Sequence, residues 1–211
     1  MVRVMLVEDH PVVRLGLRTV IESQPDLRVV AEAGTGAEAL RLARELRPEL
    51  VVLALRLEGA FQGADICRSV KRLPQPPPVL VYTAYNAPEQ VTASYFAGAD
   101  GFLYKGASSE SLLTAIRAVR RGQRVWLPLT GRPPAGPSGE AAPALTARER
   151  EVLGLMLLHR TNQQIADALH LELTTVKTHV RGVLRKLGIA TRRDLLSRPG
   201  PAAAAEGRFP P

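Results

Sequence analysis

The chain has 211 residues, 45% of them hydrophobic, and a formal net charge of +8. That length and apolar content fit one large domain or two small ones, and they exclude a chain that is disordered throughout. No apolar run approaches the ~20 residues of a membrane span. The first ten residues, MVRVMLVEDH, carry acids where a secretory signal keeps its apolar stretch. Cys67 stands alone, which rules out a disulfide within the chain and makes a cytoplasmic protein the default.

In chain order, strand and helix alternate. VRVMLV (Val2–Val7) reads as a strand, and PVVRLGLRTVIES (Pro11–Ser23) as a helix with proline in its first turn. LRVVAEA (Leu27–Ala33) is a strand, and GAEALRLAREL (Gly36–Leu46) a helix with Leu40, Ala43 and Leu46 on one face. LVVLAL (Leu50–Leu55), PVLVYTA (Pro78–Ala84) and GFLYK (Gly101–Lys105) are further strands. Gly63–Leu73, Pro88–Gly98 and Ser108–Gly122 are the helices between and after them. Near-continuous apolar strands imply a parallel sheet covered on both faces, and right-handed crossovers through the helices then wind it doubly. The expectation for residues 1–127 is therefore an α/β doubly wound, five-stranded parallel sheet.

PLTGRPPAGPSGEAAPA (128–144) has no amphipathic period and reads as a Pro/Gly/Ala linker. Residues 145–198 are all helical in pattern. Thr146 with Glu149, and Thr161 with Gln164, have capping-box spacing. A third helix, LTTVKTHVRGVLRKLG, carries Val176, Val180, Leu184 and Leu187 on an apolar stripe, with Thr174, Lys177, Thr178, Arg181 and Arg185 opposite. The expectation is a small all-α helix-turn-helix domain, followed by a disordered tail over 199–211. Charge is uneven: residues 1–127 hold 16 Lys/Arg against 13 Asp/Glu, and residues 145–198 hold 10 against 5. The second segment is the better candidate for a polyanion partner.

In a sheet of this kind, ligands sit beyond the carboxyl ends of the strands. Glu8 and Asp9 follow the first strand, Ala54 ends the third, Thr83 the fourth and Lys105 the fifth. Two carboxylates suit a hard cation, and a lysine with a hydroxyl suits phosphate oxygens, but a nucleophile is missing. GTGAEA (Gly34–Ala39) matches a dinucleotide fingerprint in letters. It follows the second strand with no acidic partner at the next strand end, so a tight turn into a helix is favoured. His10, His159, His170 and His179 are scattered, and with one cysteine no zinc spacing arises. No hydrolase motif is present, so an enzyme is not expected.

LVEDH, VVLALR, VYTA and AGADGFLYK, in this βα alternation, resemble the receiver domain of bacterial two-component response regulators. The resemblance implies a flavodoxin/CheY-like fold and an aspartate phosphoacceptor at the position of Ala54. It implies Mg²⁺ held by Glu8, Asp9, the acceptor and the backbone carbonyl of Arg56. It also implies a switch hydroxyl at Thr83, a lysine at Lys105 and a switch aromatic at Phe102. A methyl group can be neither phosphorylated nor bound to a metal. As sequenced, by natural loss or by deliberate substitution, the receiver is expected not to accept phosphate. Glu58, in the following loop, is a poor substitute. Mg²⁺ binding should be weak, with Lys105 pairing directly with Asp9.

LTAREREVL, NQQIADAL and TVKTHVRGVLRKLG are similar, in order and spacing, to the NarL/LuxR (FixJ) type of DNA-binding domain. This implies a cytoplasmic DNA-binding transcription regulator of a two-component phosphorelay, with a sensor histidine kinase as a possible partner and a homodimer at least on double-stranded DNA. Lys177, Thr178 and Arg181 would approach bases. Thr175, His179 and Arg185 would lie near phosphates or support the fold, Thr174 shares the exposed DNA-binding face, and Val176 belongs to the core. Glu172 stands where that family often has a serine N-cap, and Pro199–Gly200 should stop the fourth helix early. Those two departures favour an alternative, a pseudo-receiver acting by protein–protein contact with weak DNA binding.

Overall fold

The structure, a computed structural model, describes residues 1–85, 87–126 and 145–197. In chain order come β1 (Val2–Val7), α1 (Pro11–Glu22), β2 (Leu27–Ala33), α2 (Gly36–Leu46), β3 (Leu50–Leu53), α3 (Gly63–Lys71), β4 (Val79–Thr83), α4 (Pro88–Phe96), β5 (Gly101–Tyr104), α5 (Ser109–Arg120) and β6 (Val125–Trp126). Then follow α6 (Ala147–Leu157), α7 (Asn162–Leu169), α8 (Leu173–Lys186) and α9 (Arg192–Ser197). The sheet is parallel, with strand order β2-β1-β3-β4-β5-β6. The sixth strand corrects the expected five. Its two residues, paired to Gly101 and Phe102, are too few to show a period in the sequence.

Side-chain alternation explains why both faces are dry. Met5, Val7, Val51 and Leu53 enter one core, while Val4, Leu6, Leu50 and Val52 enter the other. Each apolar run therefore hides a period of two. The chain leaves β1 for β2 on one side and returns to β3 on the other, which opens a crevice between the carboxyl ends of β1 and β3. Cys67 is buried with its thiol on the Ala97 carbonyl, and burial pushes its pKa up to about 12, so it packs as a small hydrophobe.

The C-terminal helices cap as their spacing requires. Thr146 accepts the Glu149 N–H at 3.2 Å while Glu149 accepts the Thr146 N–H at 2.8 Å, and Thr161 and Gln164 repeat the exchange. Gly188 takes the left-handed φ of +63° that ends α8. The linker at 128–144, the tail at 199–211 and the stop at Pro199–Gly200 lie outside the described residues.

One feature of α6 sets how the two halves meet. Val152, Leu153, Gly154, Leu155, Met156 and Leu157 are all buried, so the helix is covered on every side. One side packs on α8, and the other packs on α4 of the N-terminal half. A single apolar core runs from Phe102 and Tyr95 through Val152 to Val176. Thr92 Oγ1 donates to the Arg150 carbonyl at 2.9 Å across the junction. Gly154 is obligatory there, because a Cβ at that position would overlap the Pro88 carbonyl.

Candidate functional site: a pocket and a DNA-reading face

Four strand ends bring Glu8, Asp9, Ala54, Thr83 and Lys105 to one cavity of about 450 Å³, with His10, Arg56 and Tyr85 at its rim. Sequence position alone gathers these residues, and the structure agrees. Glu8 is 1% exposed, and Lys105 Nζ donates to its Oε2 at 2.6 Å. This corrects the expected Lys105–Asp9 pair. Asp9 instead accepts the Glu58 backbone N–H at 2.8 Å and meets His10 Nδ1 at 2.8 Å. Burial works to raise the Asp9 carboxyl, but the Glu58 N–H and His10 outweigh it and hold Asp9 below the usual carboxylate range.

Ala54 is 4% exposed and presents a methyl group to the cavity. Gly63 backs it so closely that a Cβ there would overlap the Ala54 carbonyl. Thr83 is buried, and its Oγ1 accepts the Tyr85 N–H at 3.1 Å. Arg56 sends its side chain across the rim, donating from Nε to the Gly59 carbonyl at 3.1 Å and from a terminal nitrogen to the Tyr85 hydroxyl at 2.8 Å. Glu58 faces the pocket with its backbone N–H and is exposed, so it does not take the place of a nucleophile at Ala54. Phe102 is fully buried and stacks on Trp126 at 6.2 Å, with 10° between the ring planes.

The glycine-rich turn at Gly34–Ala39 spends its donors on itself. Glu38 donates its N–H to Thr35 Oγ1 and accepts the Gly34 N–H at 2.9 Å. Two of the turn's donors are thus spent within it, which fits the plain turn reading.

The second region is a face of α8. Val176 and Val183 are fully buried, and they seat the helix on α6 and α7. Thr174, Thr175, Lys177, Thr178, Arg181 and Arg185 are exposed, and His179 is half-buried. Among the described residues no carboxylate forms an ion pair with Lys177, Arg181 or Arg185. Three cations therefore stand exposed on one face of α8 beside the Thr174 and Thr175 hydroxyls, while the Thr178 hydroxyl donates to the Thr174 carbonyl at 3.1 Å; a helix of this kind is what a major groove admits. Val183 was missing from the expected apolar stripe and completes it.

The buried Glu149 carboxylate holds this face in place. It accepts Lys186 Nζ at 2.7 Å and so ties α8 to the start of α6. Burial works to raise the Glu149 carboxyl, and Lys186 and Thr146 outweigh it and hold it below its ordinary value. Glu172 sits at the N-cap of α8 without a side-chain capping bond and is exposed.

Comparison with known proteins matches both regions. Residues 4–117 fit the model of the response regulator receiver domain, and residues 143–198 fit that of the bacterial regulatory proteins of the luxR family. The chain is 37% identical to the nitrate/nitrite response regulator protein NarP of Escherichia coli over 195 residues, 90% of each chain. It is 35% identical to the transcriptional regulatory protein LiaR of Bacillus subtilis, covering 91% of this chain and 93% of that protein. Among solved structures it is similar to the response regulator ChrA of a heme-sensing two-component system. That match has 32% identity and a TM-score of 0.52, covering 92% of this chain and 94% of ChrA.

Proposed function

The chain belongs to the two-component response regulators that carry a LuxR-type DNA-binding domain, and from that premise we propose that it regulates transcription without passing through an aspartyl phosphate. The observation that carries this is the exposed row Lys177, Thr178, Arg181 and Arg185 on α8, in a chain whose halves meet elsewhere, through α4 and α6. The reading face stays open while the domains are docked, so no phosphoryl-driven release is needed to uncover it. A homodimer on paired half-sites is the arrangement that lets two such helices read one duplex. The compartment is that of the DNA, and no described helix is long and apolar enough to cross a membrane.

The pocket supports the same reading. Ala54 offers neither a nucleophile nor a metal ligand, and one oxygen of Glu8 is already paired to Lys105. Mg²⁺ asks for near-octahedral oxygen ligation, and with no ligand from Ala54 only the Asp9 carboxylate, one oxygen of Glu8 and the Arg56 carbonyl would hold it, so its binding should be weak. A sensor kinase would then act through contact with the receiver surface, and phosphoryl transfer would not follow. Glu172 favours a second reading, in which contact with other proteins matters more than DNA. Its exposed carboxylate lies at the end of α8 that enters a groove first, where a phosphate would meet like charge.

The test is titration of genomic DNA fragments with the full chain at several salt concentrations. Each phosphate contact steepens the loss of affinity with salt. Lys177→Ala with Arg181→Ala should abolish specific binding and leave the helical signal unchanged. Two base contacts of about 1–3 kcal/mol each correspond to a loss on the order of a hundredfold or more. Unchanged binding in the double variant would refute the α8 assignment.

A further inference from the structure

In a parallel sheet the turns that lead from helix into strand gather at the amino ends of the strands, opposite the pocket. Here they collect arginine. Arg44 and Arg47 close α2, Arg72 closes α3 and Arg121 closes α5, while Arg3 and Arg28 are partners in register near the starts of β1 and β2. All six are exposed, and among the described residues no carboxylate forms an ion pair with their side chains. The acids at this end are already neutralised. Asp26 accepts Arg117 Nε at 2.8 Å and Nη2 at 2.7 Å, Glu49 accepts Arg120, and Asp100 accepts Lys71 Nζ at 2.9 Å. Glu22 and Glu45 pair with Arg18 and Arg41. The bonds from Arg117 hold the Asp26 carboxyl below its ordinary value, and Arg120 with the Arg3 N–H does the same for Glu49.

Cations are expected at the carboxyl ends of helices, where the dipole attracts them. Arg3 answers to one such end, donating to the Leu46 carbonyl of α2 at 2.5 Å. Each end carries about half a negative charge, so α1 to α5 together bring roughly −2.5 against six unpaired guanidinium groups, and a positive excess remains. The strands β2, β1, β3 and β4 lie side by side, so the excess spreads over about 15 Å, three strand spacings. We propose that this arginine-rich end of the receiver is a second, sequence-independent DNA-binding surface that holds the phosphate backbone of a duplex. The choice of partner rests on the reading of α8, which brings duplex DNA to the molecule. Guanidinium forks match phosphate oxygens in pairs. An anionic membrane offers the same phosphates, but docking on it is helped by apolar side chains that insert. Of the exposed large hydrophobics only Met1 is at this end, whereas Val12, Leu15 and Phe61 lie toward the pocket.

Binding of the full chain to a duplex of unrelated sequence, followed by fluorescence anisotropy between about 50 and 200 mM salt, tests this. Arg28→Gln, Arg47→Gln and Arg121→Gln together should weaken binding at least tenfold. They should also lower the slope of log affinity against log salt by about 2 to 3, since each lost phosphate contact removes about 0.9. The three side chains are exposed, so circular dichroism should show the fold of that variant intact. Arg18→Gln, Arg41→Gln and Arg68→Gln remove the same charge from side chains held in ion pairs elsewhere, and should lower the slope by less than about 1. An unchanged slope in the first variant, or an equal drop in the second, overturns the proposal. So does tighter binding to phosphatidylglycerol vesicles than to the duplex, lost in the first variant. The first three changes should lower the slope even in a chain that carries Lys177→Ala and Arg181→Ala, so failure of this surface and failure of the α8 reading are told apart.

Discussion

The pocket at the strand ends and the face of α8 are both built from a few polar residues on a dry scaffold, but they fail differently. The pocket gathers Glu8, Ala54, Thr83 and Lys105 from four strands, so its chemistry depends on every contributor being the right one. Ala54 contributes only a methyl group there, while the cavity, the Lys105–Glu8 pair and the buried Thr83 are all present. The face of α8 repeats one kind of contact along a single helix. There the loss of one cation weakens binding by its own share and leaves the others in place. A site assembled from distant strands is brittle in chemistry and robust in shape, and a site on one helix is the reverse.

Ala54→Asp tests the brittle side and should give the largest change. With Glu8 and Asp9 in place and Lys105 within the cavity, the restored carboxylate should accept a phosphoryl group from a small phosphodonor in the presence of Mg²⁺, where the unaltered chain accepts none. Intact mass after incubation reads the outcome. If the variant stays unmodified, the pocket has lost more than its nucleophile.

Gly154→Ala separates the two regions. A Cβ there meets backbone at Pro88, which has no flexible end to move aside, so α4 and α6 should part. Within the helix alone the change is favourable by up to about 1 kcal/mol, so the C-terminal unit should keep its fold. The single tryptophan, Trp126, packs against Tyr95 of α4 at 5.9 Å and reports the separation by fluorescence. Heating should then give two transitions in place of one. DNA affinity should change less than threefold, because docking does not cover α8. A tenfold rise would mean that the docked state restrains DNA binding after all.

Much of this was legible before any coordinates. Apolar runs place the strands, and strand ends place Glu8, Ala54, Thr83 and Lys105 together, because a parallel doubly wound sheet has few other solutions. Helical period puts Lys177, Thr178 and Arg181 opposite Val176. What escaped depends on which groups meet. Lys105 could reach either acid, and its choice of Glu8 follows from Asp9 being drawn to the Glu58 N–H and His10. The convergence of Glu8, Asp9 and His10 comes from a turn whose angles no spacing rule encodes. The domain junction did leave a trace. VLGLMLL is apolar on every side of α6, more than a small helical unit can bury, and that excess calls for a partner such as α4.

Glu172→Ser bears on the robust side and should give the smallest change. Glu172 caps α8 with no side-chain bond, so its favourable contribution is its charge at the positive end of the helix, about 0.3–1 kcal/mol at an exposed site. Serine would accept a hydrogen bond from a first-turn N–H, a cap of typically about 1 kcal/mol. The two nearly cancel, so the melting temperature should hardly move. On DNA they should not cancel, because the glutamate carboxylate would also face the approaching phosphates and serine would not. Affinity should tighten by roughly two- to fivefold, which matches the ~1 kcal/mol or less of a screened surface interaction. The gain should shrink as salt rises, since repulsion at an exposed site is screened over about 10 Å at 0.1 M. Glu172→Gln, which removes the charge without adding the cap, should reproduce the gain in affinity. If it does not, the benefit of serine lies in ordering the first turn of α8, and charge at that end of the reading face is not what limits binding.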